Sequence, residues 1–133
     1  MGTTFSKQVL TYDRYALVQL FRAIEDFRGV DPEIPAQGVA LFLYSAIYPG
    51  CTMTDLQKHL GMTQSSCSRN VSALSEWHRL EKPGLGLVAA TPDPMERRRK
   101  IVRLTEKGEQ LAASLTEAIM NPVRLSSFSK AVR

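Results

Sequence analysis

The sequence has little that would support membrane insertion, secretion or covalent cross-linking. Its longest apolar stretch, residues 38–48, is interrupted by Ser45 and is shorter than the roughly 20 residues that a membrane-spanning helix needs. The first residues lack the basic segment and apolar core of a secretory signal. Only two cysteines occur, Cys51 and Cys67, and neither has partners at metal-ligand spacing. We therefore expect a cytoplasmic protein with two free thiols and no membrane partner.

The residue patterns of common catalytic sites are also missing. The chain has two histidines, His59 and His78, and neither is spaced to serve a metal or a nucleophile. Glycine-rich phosphate loops, dinucleotide fingerprints and zinc-protease motifs do not occur. The sequence therefore predicts that the protein is not an enzyme and needs no cofactor or metal.

What the chain does have is an excess of positive charge. Its 133 residues are 44% hydrophobic and 23% charged, with a formal net charge of +4 and a pI near 9.3. These values suit a single folded domain over residues 1–133. A basic balance is compatible with a polyanionic partner such as double-stranded DNA, although it does not identify one.

Apolar periodicity predicts a long helix at each end of the chain. Residues 7–28 carry apolar side chains three and four positions apart, and residues 106–125 repeat this pattern behind Thr105, a good N-cap. Pro122 should end or bend the second helix. One small domain cannot bury both stripes, so we expect these helices to pair with those of a second copy. The predicted dimer contacts are Tyr12, Ala16, Leu20, Leu111, Leu115 and Ile119.

The middle of the chain has the pattern of a helix-turn-helix. Residues 36–48 are apolar nearly all round, which predicts a buried central helix. Thr52 or Thr54 can then cap a short helix that ends at Gly61, a residue suited to the left-handed position after a helix. A second helix over residues 64–77 follows. Helix, glycine-containing turn and helix in this order is typical of DNA-binding motifs.

The second of these helices has an unusual polar face. Cys67, Val71 and Leu74 share one side, whereas the opposite side carries serine, glutamine and arginine. Small polar groups and one Arg suit close approach to base edges and phosphates, although serine could also be simply tolerated on a surface helix. The candidate DNA contacts of this helix are Thr63, Gln64, Ser65, Ser66, Ser68, Arg69 and Ser72.

Two predicted strands complete a winged helix. They cover residues 86–91 and 100–104, and the hairpin tip of the wing, residues 92–100, carries four successive basic residues, Arg97, Arg98, Arg99 and Lys100. Such a tip can reach phosphates and the minor groove. The expected fold is mainly α with a small β-hairpin wing (α+β). A winged helix-turn-helix core over residues 36–104 is flanked by the two dimerisation helices.

Over residues 8–120 the chain resembles the MarR family of bacterial transcription regulators. The sharpest element is an acidic residue, any residue, Arg, five residues and Leu-Thr-x-x-Gly, which here begins at Glu96 and Arg98 and ends at Gly108. Ser68-Arg69 also matches the family's recognition helix.

The resemblance implies a homodimeric DNA-binding protein, usually a repressor. It implies that Arg98 enters the minor groove, that Glu96 supports the wing, and that the helix over 64–77 reads the major groove. It also implies release from DNA by a small aromatic effector or an oxidant. The chain departs from the family at Ala89-Ala90, where a strand arginine is common.

Two alternatives remain open at this level. Oxidation of Cys67 or Cys51 could displace the recognition helix, although the helical pattern points Cys67 inward and leaves Cys51, beside a turn, as the more exposed thiol. Alternatively, the winged helix could serve as a protein-interaction or dimerisation module without specific DNA binding, which the missing strand arginine mildly favours.

Overall fold

The computed structural model describes residues 11–78 and 82–131. The helices are α1 (Arg14–Val30), α2 (Ala36–Ile47), α3 (Met53–Leu60), α4 (Gln64–Leu74), α5 (Glu106–Met120) and α6 (Leu125–Ala131). The strands are β1 (Cys51–Thr52), β2 (Trp77–His78), β3 (Lys82–Pro83), β4 (Val88–Pro92) and β5 (Lys100–Leu104). The predicted class is confirmed: the chain is mainly α, with a small antiparallel sheet that forms the wing. Within the described ranges, no helix is long and apolar enough to cross a membrane.

Local capping fixes where three of the helices begin. Thr52, Thr63 and Thr105 each accept a hydrogen bond of 3.0 Å from the backbone N–H three residues later. The Asp55 carboxylate accepts from the backbone N–H of Thr52 at 3.0 Å, which completes a capping box at the start of α3. Gly61 follows α3 with φ +62°, the left-handed conformation that glycine adopts without steric cost. The sequence predicted these caps correctly, with Thr52 rather than Thr54 at α3.

The three-stranded sheet has the order β1-β5-β4 and is antiparallel throughout. Val102, in the central strand, pairs with Cys51 of β1 on one side and with Ala90 of β4 on the other. The hairpin β4–β5 is the predicted wing, although its first strand is shifted from residues 86–91 to Val88–Pro92. Strand β1 was not predicted, and it ties the residues just before α3 to the base of the wing.

Helix α2 lies at the centre of the core. Leu41 and Phe42 are fully buried, and the ring of Phe42 meets that of Phe27 from α1 edge-on at 5.5 Å between centroids. The expected burial on all sides is wrong, however, because Leu43 and Ile47 are 39% and 66% exposed. One side of α2 therefore reaches the surface.

Helix α1 packs one face on the core and leaves its predicted dimer contacts exposed. The side chains that face the core are Val18, Gln19, Ala23 and Phe27. Of the apolar stripe at helical spacing in residues 7–28, which consists of Val9, Tyr12, Ala16, Leu20, Ile24 and Phe27, Val9 lies outside the described residues and only Phe27 is buried. The exposed members are Tyr12, Ala16, Leu20 and Ile24.

The predicted helix over residues 106–125 is two helices. Helix α5 ends at Met120, and α6 begins at Leu125, after Pro122. The structure also corrects two predicted dimer contacts: Leu111 and Leu115 are buried in the core of their own chain, whereas Ile119 is 52% exposed.

The turn between α5 and α6 is held by α1. The Gln19 side chain donates through Nε2 to the carbonyl of Val123 at 2.8 Å and accepts from the N–H of Val123 at 3.0 Å. Arg22 donates to the Ala118 carbonyl at 3.1 Å, near the end of α5. Beyond the turn, Phe128 of α6 packs edge-on against Phe21 of α1 at 5.4 Å.

Candidate nucleic-acid interface

Helix α4 divides into a buried side and an exposed polar side, as its sequence predicted. Cys67, Val71 and Leu74 pack into the core. The helix ends at Leu74, three residues before the predicted end. Of the candidate contacts in this region, Ser66 and Ser72 are partly buried, and the exposed ones are Thr63, Gln64, Ser65, Ser68 and Arg69.

A cleft of about 320 Å³ joins α4 to the wing. Helix α4 contributes Gln64 and Ser68, and α3 contributes residues from its first turns, including Thr54. The opposite wall consists of Arg98, Arg99 and Lys100 from the wing. The fold thus places two groups of candidate residues, separated by some 30 positions in sequence, on one concave polar surface.

The wing tip is held together by Asp93. Its carboxylate accepts from the N–H of Met95 at 2.9 Å and forms an ion pair with Arg99, with Oδ2 3.1 Å from Nη2 and 3.2 Å from Nε. The backbone closes the tip through a bond of 2.8 Å from the Asp93 N–H to the Arg99 carbonyl. Arg99 therefore holds the tip in shape, and its charge is largely compensated.

Glu96 does not support the wing in the way that the resemblance implied. Its main-chain carbonyl accepts from the Arg99 N–H at 2.9 Å. Its carboxylate makes no hydrogen bond or ion pair within the described parts of the chain. The supporting carboxylate is that of Asp93, three positions earlier, because the register of the hairpin brings that residue opposite Arg99.

The remaining basic side chains of the wing are uncompensated. Arg97, Arg98 and Lys100 are exposed and have no ion-pair partner among residues 11–78 and 82–131. Asp55, at the start of α3, has its pKa lowered mainly by the hydrogen bond from the Thr52 backbone, with a smaller contribution from Arg99. Arg97, Arg98 and Lys100 are therefore the wing cations that are free to pair with an anionic partner.

Sequence reasoning missed a further polar residue beside α4. Gln37, in the first turn of α2, accepts hydrogen bonds through Oε1 from the Ser66 hydroxyl at 3.1 Å and from Asn70 Nδ2 at 3.2 Å. It lies 29 positions before Ser66, so no local pattern could have indicated the contact. The network covers the flank of α4 that faces α2.

Both cysteines are buried, and burial raises the pKa of each thiol. Cys67 is fully buried, as predicted, and Cys51 is slightly more exposed, as expected, although its exposure is only 6%. The Cys51 thiol donates to the Ser45 hydroxyl at 3.9 Å. A buried thiol with a raised pKa is a poor nucleophile at neutral pH, which argues against oxidant sensing by either residue.

No group of three potential ligands for a metal ion occurs in the described parts of the chain.

No family model and no curated protein sequence matches the chain. Solved structures do match. Transcriptional regulator Tm0710 from Thermotoga maritima aligns with 79% of this chain and 66% of its own, at 24% identity and a TM-score of 0.59. A structure of MarR aligns with 79% of this chain and 72% of its own, at 18% identity and a TM-score of 0.56. Reduced AbfR, solved bound to DNA, aligns with 89% of this chain and 80% of its own, at 17% identity and a TM-score of 0.56. The chain therefore has the winged-helix fold seen in MarR-type transcriptional regulators.

Proposed function

We propose that the protein is a DNA-binding transcriptional regulator that places α4 in the major groove and its wing at the minor groove. The observation that carries this proposal is the cleft in which Gln64 and Ser68 of α4 face Arg98 and Lys100 of the wing. AbfR, whose fold is similar, has been solved bound to DNA, which supports the same use of this surface.

The chemistry of the two walls suits different parts of a duplex. The exposed hydroxyl and amide groups of α4 can donate to or accept from base edges, and Arg69 can reach a guanine or a phosphate. The uncompensated cations Arg97, Arg98 and Lys100 suit the negative potential of a narrow minor groove. We assign Arg99 to holding the wing tip, with a weaker direct role in binding than its neighbours.

We further propose that the protein acts as a homodimer. Helix α1 exposes a row of large apolar side chains, among them Leu20 at 54% and Phe21 at 43%, and Met120 at the end of α5 is 70% exposed. Contiguous apolar surface of this kind marks association sites. A two-fold pair would present two α4 helices to major grooves separated by one helical turn of DNA, about 34–36 Å.

Repression and control by an effector complete the proposal. A dimer bound beside a promoter would exclude polymerase, which makes a repressor the simplest regulator.

An apolar cavity of about 270 Å³ lies between the end of α1 and the start of α2, and the residues that line it include Phe27, Ile34 and Arg28. Its apolar walls suit the ring of a small aromatic acid, and Arg28, which pairs with Glu25 at 2.7 Å, would exchange that partner for the carboxylate of the ligand.

The decisive experiment is fluorescence anisotropy with the DNA upstream of the protein's own gene, a scrambled duplex and a salt series. We expect tight binding to the native duplex that weakens steeply with salt, because cation–phosphate contacts release counterions. Arg98→Ala should weaken binding and reduce the salt dependence by about one phosphate equivalent, without loss of thermal stability, since the side chain is exposed.

Arg14→Ala is the matched control, because it removes the same charge from an exposed position on α1 outside the cleft. It should leave the salt dependence of binding nearly unchanged. Equal and weak binding to both duplexes, unaffected by Arg98→Ala, would contradict the proposal. That result would favour a winged-helix module that binds proteins instead of DNA.

A further inference from the structure

Three polar side chains from two helices form one hydrogen-bonded network at the start of α4. Gln37 of α2 accepts from both Ser66 and Asn70 of α4. Asn70 Nδ2 also donates to the main-chain carbonyl of Ser66 at 2.9 Å and approaches the Ser66 hydroxyl at 3.4 Å. The network therefore surrounds the hydroxyl of a residue on the proposed recognition helix.

A fixed acceptor determines which way each amide points. The carbonyl of Ser66 can only accept, so the Asn70 atom beside it must be the amide nitrogen. The same nitrogen lies 3.2 Å from Gln37, so the Gln37 atom that faces it must be the amide oxygen. That oxygen is 3.1 Å from the Ser66 hydroxyl, and an oxygen with no hydrogen of its own can only accept. The single hydroxyl hydrogen of Ser66 is therefore committed to Gln37.

We infer that Gln37 determines which bases the Ser66 hydroxyl can hydrogen-bond in the major groove. A free serine hydroxyl rotates and can donate or accept, so it discriminates poorly between bases. With its hydrogen held by Gln37, Ser66 can offer only lone pairs to the major groove. Lone pairs suit the amino groups of adenine or cytosine and are mismatched against the oxygen acceptors of guanine or thymine.

Gln37 is in this sense a positioning residue, because it acts on sequence preference through Ser66. The inference rests on the proposed function, since it requires α4 to lie in the major groove. It adds a residue of α2, outside the recognition helix and the wing, to those that set the sequence that is bound.

The test is a base-preference profile. Wild-type protein is first used to select its preferred duplex from a random library, and affinities are then measured for every single base-pair substitution of that duplex. The same panel is measured with Ser66→Ala, Gln37→Ala and Gln37→Glu. Gln110→Ala serves as the control, because it truncates an exposed glutamine on α5, far in sequence from the network.

We expect Ser66→Ala to abolish preference at one base position, which identifies the base that Ser66 contacts. Wild type should favour its selected base pair there by about fivefold, the factor that corresponds to one net hydrogen bond. Gln37→Ala should reduce the preference to about twofold or less at that position alone. Gln37→Glu retains an acceptor oxygen and should restore the preference, even if its charge weakens binding to every duplex, and Gln110→Ala should change nothing.

Several results would overturn the inference while leaving the proposed function intact. These are an unchanged profile in Gln37→Ala, an equal loss at every position, or a Ser66→Ala profile identical to wild type. If wild type selects no preferred sequence from the library, the proposed function itself fails, and the inference fails with it.

Discussion

The Thr105 hydroxyl makes two hydrogen bonds that connect three parts of the molecule. It donates to the carbonyl of Gly86 at 2.6 Å, in the segment that leads into β4, and accepts from the N–H of Gly108 at 3.0 Å, in the first turn of α5. Thr105 itself follows β5. One side chain thus fixes the end of the wing, the start of its first strand and the start of the last long helix.

Thr105→Val should therefore destabilise the protein at nearly constant side-chain volume. Loss of the cap and of the bond to Gly86 should lower the free energy of unfolding by roughly 1–3 kcal/mol, measured by urea denaturation. Thr116→Val is the control, because Thr116 is an exposed residue of α5 whose hydroxyl donates to the Ala112 carbonyl of its own helix. Equal shifts of the two midpoints would show that the Thr105 hydroxyl has no special role.

Helix α5 approaches the segment before β4 closely at Gly108. A Cβ atom added at Gly108 would overlap the carbonyl oxygen of Leu87. The helix backbone therefore lies directly against the segment preceding β4, and only glycine allows this distance. The position of the wing relative to α5 depends on that contact.

Gly108→Ala should force α5 away from Leu87 and cost roughly 1–3 kcal/mol of unfolding free energy or more. Gly29→Ala is the matched control: Gly29 lies in α1 and has nothing within 4 Å of an added Cβ. That change should be neutral or stabilising by up to about 1 kcal/mol, because alanine is the better helix former. Thermal and urea unfolding of the two variants provide the comparison, and a tolerated Gly108→Ala would mean that α5 can shift without loss.

Local signals in the sequence were enough to predict most of these elements. The caps Thr63 and Thr105 and the left-handed Gly61 act within a few residues, so their patterns indicate helix boundaries directly. Strand β1 is two residues long and exists only because Cys51 pairs with Val102, some 50 positions later. Its formation depends on tertiary contacts that no local pattern carries.

Some features of the candidate interface could be predicted from the sequence and others could not. The buried side of α4 and the basic tip of the wing follow from periodicity and charge, and both were predicted. The pairing of Asp93 with Arg99 depends on hairpin register, and the contact of Gln37 with Ser66 depends on how α2 packs against α4. These contacts could be assigned only from the three-dimensional structure.

For the whole molecule, the exposed face of α1 is the feature that most strongly suggests a partner. Leu20 is 54% exposed, and its apolar neighbours Leu17 and Ile24 are 48% and 39% exposed. Leu111, by contrast, is only 7% exposed and lies in the core. Similar apolar residues at the two ends of the chain therefore have different roles.

Substitution by aspartate should separate the two roles. Leu20→Asp should convert a dimer to a monomer in sedimentation velocity while the chain stays folded, because the charge remains in water. Leu111→Asp should unfold the protein, since a buried charge without a partner is strongly destabilising. A Leu20→Asp variant that still sediments as a dimer, or a wild type that sediments as a monomer, would rule out an interface on this face.

The short strand β1 has a consequence for how the binding surface meets DNA. It leads directly into α3 and is hydrogen-bonded to β5, so α3 begins at a strand of the same sheet as the wing. The wing cannot swing away from α3 and α4 without breaking those bonds. The surface is therefore preorganised, and binding DNA would cost it little conformational entropy.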